Sequence, residues 1–232
     1  MSGTDAAAPP VVAVAWLPAY RIIPSRFPPI HLFERIADPA DLEAVFAIEA
    51  MTNPRLRDEA GDIALVAPAD RVSGPGSSVI MAAFTHPNPA GSRFADGSIG
   101  AFYAARALET AIAETSHHRA RFMAATAEPA MELDMRVYLV DLAGRLHDLR
   151  GLGHSHAAVY HHSDYSAGQA LAAGLRRQGA DGIAYDSVRH PGGECAAVFR
   201  PPVLGNVRQG AHLCYVWDGR RISLVYEKRL LT

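Results

Sequence analysis

Three residue types suited to a phosphate- and sugar-bearing ligand occur within one stretch of the chain, from Gly91 to Phe122. Arg93 lies in a loop flanked by glycine and serine, Tyr103 ends a short apolar run, and Glu114 falls inside an alanine-rich helix. A guanidinium binds phosphate through paired hydrogen bonds, an aromatic ring stacks on a planar group, and a carboxylate accepts hydrogen bonds from hydroxyls. This order of loop, strand and helix therefore predicts a ligand site.

Each of the three residues also has a purely structural interpretation. An arginine is common on loop surfaces, Tyr103 can pack in the core, and a glutamate is an ordinary helix residue. Glu114 shares its helix face with the small residues Ala107 and Ala111, which let a ligand or another element approach closely. Glu109 lies near the helix start, where the helix dipole accounts for a carboxylate. We therefore prefer Glu114 to Glu109 as the functional carboxylate.

Two serines further along the chain are also candidates. Ser166 stands near the start of a predicted helix, where a serine hydroxyl caps the first backbone N–H groups. Ser187 ends a predicted strand and precedes the turn His190 to Gly193, which either presents backbone N–H groups to a ligand or simply closes a hairpin. The choice between the two serines stays open at this point.

The elements that must position these residues do not alternate regularly between strand and helix. This irregular order favours an α+β fold over a doubly wound sheet. The predicted strands are Val11–Trp16, Tyr20–Ile23, Ile63–Val66, Met131–Asp141, Gly182–Ser187 and Cys195–Phe199, followed by strands from Val207 onward, and the predicted helices are Phe33–Met51, Ala105–Thr126 and Asp164–Arg176.

The bulk properties describe one globular domain. The chain has 232 residues, 49% hydrophobic residues and a formal net charge of −2, which favours neither direct nucleic-acid binding nor an anionic membrane. Residues 1–10 are predicted to be a disordered tail and residues 11–232 a single domain. The start lacks the basic segment of a signal peptide, and prolines interrupt its apolar stretch, so we expect a cytoplasmic protein without a membrane span.

Cysteine and histidine patterns do not indicate a metal or a disulfide. Cys195 and Cys214 form no CxxC pair and are interpreted as reduced thiols. The eleven histidines include no HExxH motif and have no partner cysteines, so no metal is expected. The sequence also lacks GxGxxG, P-loop and GxSxG motifs, which removes the main support for Rossmann, NTPase and esterase functions.

Six motifs occur in a characteristic order along the chain: Tyr20-Arg21, GSRFADGS with Arg93, AFYAAR with Tyr103, ETAIAETSHHRARF with Glu114, DYSAGQALA with Ser166 and YDSVRHPGGECAAVF with Ser187. Taken together, these motifs resemble the RES-domain family, the toxin component of a class of bacterial type II toxin–antitoxin systems, named after an arginine, a glutamate and a serine. The segment from 33 to 89 is longer than in a minimal family member, and many members carry asparagine and proline after the aromatic residue where this arginine motif reads RFADGS.

The resemblance implies a fold similar to ADP-ribosyltransferases, with a compact mixed β-core flanked by helices. It implies NAD⁺ as the substrate, cleaved at the nicotinamide–ribose bond by hydrolysis or phosphorolysis, with no further cofactor. The alternatives are transfer of ADP-ribose to a protein and a catalytically silent binding partner. A cognate Xre-like antitoxin is the expected protein partner, and a homodimer is a further expectation, with the segment 33–89 covering the cleft or forming an oligomer contact.

The resemblance also implies roles for individual residues. Glu114 is expected to contact the ribose and its developing positive charge, and either Ser166 or Ser187 to hydrogen-bond the ribose or the nicotinamide amide. The remaining residues are expected to bind the ligand as phosphate cations or pocket-lining groups, namely Arg21, Arg93, Tyr103, Tyr165 and Gln169.

Overall fold

The computed structural model describes residues 8–25, 34, 61–229 and 231. The predicted helix Phe33–Met51 lies outside the described residues, except for Glu34. Of the segment 33–89, the structure describes Glu34 and residues 61–89. The carbonyl of Pro10, the last residue of the predicted tail, accepts a hydrogen bond from the backbone N–H of Asp148 at 2.7 Å. The described chain is therefore already bound to the sheet before its first strand begins.

The described residues form seven strands and three α-helices, connected by turns and short 3₁₀ helices. In chain order the elements are β1 (Val11–Pro24), α1 (Ser77–Thr85), β2 (Phe102–Ala105), α2 (Leu108–Ala125), β3 (Met131–Asp148), α3 (Ser166–Arg177), β4 (Gly182–Asp186), β5 (Glu194–Val198), β6 (Leu204–Trp217) and β7 (Ile222–Lys228).

The strands form a mixed sheet in the order β1-β2-β5-β4-β3-β6-β7. Strand β1 also pairs with β3 over most of its length, which closes β1, β2, β5, β4 and β3 into a ring. Only the β3–β4 pairing is parallel among the described strands. The α+β class and the mixed β-core flanked by helices are thus confirmed.

Side chains alternate between the two faces of this sheet and build two cores. One face buries Trp16 and Phe102 beneath α1. The other face buries Ile183 and Tyr185 of β4 beneath α2 and α3, and small residues such as Ala111 of α2 belong to the same core. Because α2 and α3 both lie on this second face, they bring their functional residues to the same side of the sheet.

Two predicted strands differ from the structure for identifiable reasons. Val11–Trp16 and Tyr20–Ile23 are parts of one strand, β1, whose pairing with β3 shifts between Trp16 and Ala19, where Pro18 has no N–H to donate. The predicted strand Ile63–Val66 is wrong: Ile63–Leu65 forms a short 3₁₀ helix, whose start the Asp62 carboxylate caps by accepting the N–H of Ala64.

Candidate functional site

The central contact of the site joins α2 to the loop after β4. The hydroxyl of Ser187 donates a hydrogen bond to Oε1 of Glu114 at 2.6 Å. The Ser187 hydroxyl oxygen accepts the backbone N–H groups of Arg189 at 3.1 Å and His190 at 3.0 Å, so the Ser187 proton is directed at the carboxylate. No described residue donates a hydrogen bond to Oε2 of Glu114. Of the two candidate serines, Ser187 is the one that pairs with Glu114.

The β4–β5 loop (residues 187–193) is fixed against α2 by further contacts. Oγ1 of Thr110, which is buried, lies 2.9 Å from Nδ1 of His190. A Cβ at Gly193 would lie only 2.6 Å from the same Thr110 oxygen, so a side chain there would push the loop away from the helix. The position of Ser187 relative to Glu114 is therefore set by the close packing of loop and helix.

Arg93 is buried, with 8% of its surface exposed, which excludes the interpretation as an ordinary surface arginine. Its NH1 donates to the backbone carbonyls of Val159 at 2.6 Å and His161 at 2.9 Å, and its guanidinium lies 4.9 Å from the ring centre of Tyr165. Arg93 thus holds the histidine segment (residues 154–163) in place. A phosphate-binding role for Arg93 stays a prediction.

Tyr103 and Gln169 both hold the arginine loop (residues 91–98). The Tyr103 hydroxyl accepts the N–H of Phe94 at 3.0 Å and bonds the Ser92 hydroxyl at 2.8 Å, and burial raises its pKa. Nε2 of Gln169 donates to the carbonyl of Ser92 at 3.0 Å. These contacts position the loop that carries Arg93, and direct contact of either residue with a ligand stays a prediction.

The first turn of α3 packs tightly on the arginine loop but does not bring its serine to Glu114. A Cβ at Gly168 would lie 2.4 Å from the backbone oxygen of Arg93. Ser166 is exposed and was wrongly predicted as the cap, because Tyr165 holds the capping position and the N–H of Ser166 donates to the Asp164 carboxylate at 2.9 Å.

Arg21 lies on the opposite face of the sheet from these residues. Its neighbours Tyr20 and Ile22 pack in the core beneath α2 and α3, so strand alternation turns Arg21 the other way. Its NH1 donates to the carbonyl of Tyr103 at 3.0 Å and its guanidinium lies 4.4 Å from the ring centre of Phe102. Burial lowers its pKa to about 10. The structure therefore does not bring Arg21 to Glu114.

Sequence reasoning missed two residues beside Glu114. His117 lies one helical turn further along α2, and its Nε2 is buried without a hydrogen-bond partner. Arg189 follows Ser187 by two positions, and its guanidinium bonds both Nδ1 of His162, at 3.0 Å, and the His162 carbonyl. Both lie inside segments that carry the family resemblance, ETSHHRARF and SVRHPGGE, which was the available signal.

The buried side chains of Cys195 and Tyr185 lie near Glu114 and keep their protons. Burial and the charge of Glu114 raise the pKa of Cys195, and burial raises the pKa of Tyr185 well above its usual value. The Tyr185 ring packs edge-on against Phe94 with ring centres 5.0 Å apart.

In the described part of the chain, no group of three or more histidine, cysteine, aspartate or glutamate residues is arranged to hold a metal ion, and no helix is long and apolar enough to cross a bilayer.

Comparison with known proteins agrees with the motifs. The RES domain family model matches residues 68–218, a range that contains Arg93, Glu114 and Ser187. The chain is 38% identical over 208 residues to the uncharacterized protein y4oC of Sinorhizobium fredii (strain NBRC 101917 / NGR234), covering 89% of this chain and 86% of that protein. A solved chain of the M. tuberculosis MbcT–MbcA toxin–antitoxin complex aligns with a TM-score of 0.40 and 16% identity, over 57% of this chain and 74% of that chain. On the family match and the y4oC identity together, the chain belongs to the RES-domain family.

Proposed function

We propose that this chain is the toxin of a toxin–antitoxin pair and that it cleaves the nicotinamide–ribose bond of NAD⁺. The observation that carries the proposal is the pair of Glu114 and Ser187, in which one carboxylate oxygen is held and the other receives no hydrogen bond from the described residues. Membership of the RES-domain family supports the choice of NAD⁺ as the substrate.

The chemistry of the bond explains why a fixed carboxylate is useful. When the bond from the ribose C1′ to the pyridinium nitrogen breaks, its electron pair goes to that nitrogen and nicotinamide leaves as a neutral molecule, so no strong acid is needed. The ribose develops oxocarbenium character, as in glycoside hydrolysis. A carboxylate preorganised near C1′ stabilises this positive charge without reorganising during the reaction.

In this proposal Glu114 acts on the ribose and Ser187 acts on Glu114. Oε2 of Glu114 accepts a hydrogen bond from a ribose hydroxyl, while the Ser187 hydroxyl keeps Oε1 in position. Because Ser187 already donates to Glu114 and accepts two backbone N–H groups, it serves as a positioning residue. Water then attacks C1′ and loses a proton to solvent, giving ADP-ribose, nicotinamide and one proton.

Family membership supports an antitoxin as the proposed protein partner, and phosphate and a protein side chain remain alternatives to water as the acceptor. Phosphate in place of water would give ADP-ribose phosphorylated at C1′, and a protein side chain would give a modified protein. An Xre-like antitoxin is the proposed partner that neutralises the activity, and a homodimer is the proposed assembly.

Product identification tests this function. The purified chain is incubated with NAD⁺ labelled in its adenine, with and without phosphate, and the products are separated by liquid chromatography with mass detection. We expect free nicotinamide in amounts equal to the labelled ADP-ribose or its phosphorylated form. Label retained on protein would indicate transfer instead, and the absence of nicotinamide release above a protein-free control would contradict the proposed function.

A further inference from the structure

We propose that Arg189 and His117 form an anion subsite beside Glu114 that binds the pyrophosphate of the dinucleotide, an inference that rests on the function proposed above. The pyrophosphate of NAD⁺ is joined to the 5′ carbon of the ribose that Glu114 is proposed to contact. Cations for it must therefore lie close to Glu114 on the same face of the sheet.

The sequence predicts that Arg93 and Arg21 bind phosphate, but in the structure both side chains contact other parts of the protein. Arg93 is buried and donates to the carbonyls of Val159 and His161. Arg21 is on the other face of the sheet, over the ring of Phe102. A further cation close to Glu114 would add charge-assisted hydrogen bonds to a bound diphosphate.

Arg189 is a cation held close to Glu114, because it follows Ser187 by two residues. Its backbone N–H bonds the Ser187 hydroxyl at 3.1 Å, so its Cα is fixed close to the Glu114 pair. The side chain is partly exposed and reaches the histidine segment at His162. These contacts use only part of the guanidinium fork, which has further N–H groups for two phosphate oxygens.

His117 supplies the second group from α2. It follows Glu114 by three residues, so both side chains lie on neighbouring positions of one helix face. Its Nε2 is buried and has no hydrogen-bond partner, and a buried polar atom without a partner carries a free-energy cost that a ligand oxygen would remove.

The electrostatic surroundings of His117 also favour an anion. Burial first, and then the positive charges of Arg189, Arg121 and Arg93, lower the pKa of His117 to about 4. His117 is therefore neutral near pH 7, in a region where several cations lie close together. A bound pyrophosphate would offset this repulsion and raise the pKa of His117 towards its ordinary value.

Calorimetric titration with ADP-ribose tests the subsite without requiring turnover. We expect Arg189→Ala to weaken ADP-ribose binding by about tenfold or more and Arg189→Lys by less, because lysine keeps the charge but not the fork. Arg220→Ala removes the same charge from the distant β6–β7 turn and should leave the affinity within about twofold. Equal affinity of the wild type and Arg189→Ala, or no binding by the wild type, would overturn the proposal.

A second readout separates ligand contact from mere support of the histidine segment. NMR spectra of the histidine rings are recorded, and the His117 signals are identified by their loss in His117→Gln. Addition of ADP-ribose should shift these signals in the wild type and in the Arg220→Ala control. Binding that leaves the His117 signals unchanged would remove His117 from the subsite. A chain that binds ADP-ribose through Arg189 but releases no nicotinamide from NAD⁺ would instead contradict the proposed function and leave the subsite standing.

Discussion

The arginine loop and the β4–β5 loop lie near the same carboxylate but use their polar groups in opposite ways. In the arginine loop, Arg93 donates to main-chain carbonyls and the Tyr103 hydroxyl bonds main chain and serine. In the β4–β5 loop, Ser187 donates to Glu114, and Arg189 bonds His162 while its side chain stays partly exposed, whereas Arg93 is buried. The difference teaches that a buried motif arginine can serve mainly to hold the loops of a site in position, while an arginine that stays partly exposed keeps donors within reach of a ligand.

The largest effect expected from this comparison is on stability in the arginine loop. Arg93→Ala would leave the buried carbonyl of Val159 and the partly buried carbonyl of His161 without their donor. We expect the free energy of unfolding in urea to fall by about 3 kcal/mol. Arg93→Lys should recover part of this loss, and Arg220→Ala should change it by less than about 0.5 kcal/mol. A loss below about 1 kcal/mol for Arg93→Ala would mean that the loop does not depend on this clamp.

In the β4–β5 loop the main effect should be on activity. Ser187→Ala removes the hydroxyl that holds Glu114, and we expect kcat/KM for NAD⁺ cleavage to fall about 30-fold, equivalent to about 2 kcal/mol. Ser166→Ala is the matched control, since Ser166 is exposed and should stay within about twofold of wild type. The reverse order of the two serine variants would assign the functional serine to α3.

A smaller stability effect is expected at Tyr103. Tyr103→Phe deletes the hydroxyl that satisfies the N–H of Phe94, while the ring remains in the core. The expected loss in free energy of unfolding is about 1–2 kcal/mol. Tyr20→Phe is the control, because no hydrogen bond of the Tyr20 hydroxyl is found among the described residues. Equal losses for the two variants would show that the Tyr103 hydroxyl does not support the arginine loop.

The smallest effect is the pH dependence that His117 adds to stability. Its pKa is about 4 in the folded chain and 6.5 as an ordinary histidine, so the unfolded chain takes up the proton first as pH falls. The contribution of His117 is therefore fully present above about pH 6.5 and is lost as pH falls towards 4. Urea unfolding from pH 7.5 down to 5, with His117→Gln as the comparison, should give a flatter profile for the variant; identical profiles would contradict the assignment.

The local elements of this fold were largely predictable, because their signals are local. The span of α2 follows from helical spacing, and the β4–β5 pair follows from two apolar runs around a glycine-rich turn. The strand predicted at Ile63–Val66 is wrong because a short apolar run alone does not distinguish a strand from a short helix, here a 3₁₀ helix capped by Asp62.

The partners of the site residues were not predictable, because they lie far apart in the chain. The Ser187–Glu114 contact joins residues 73 positions apart, and Arg93 reaches Val159 across 66 positions. Neither separation leaves a local pattern in one sequence. The closure of β1 on β3 is equally non-local.

The most direct test of the account compares two glutamates on one helix. The wild type, Glu114→Gln and Glu109→Gln are assayed for nicotinamide release from NAD⁺, with folding checked by thermal unfolding. Glutamine keeps the shape of the side chain and removes the charge that would stabilise the oxocarbenium ion, so we expect Glu114→Gln to lose about 100-fold or more in kcat. Glu109→Gln should stay within about twofold. A folded Glu114→Gln variant that remains within a few-fold of wild type would contradict the central claim.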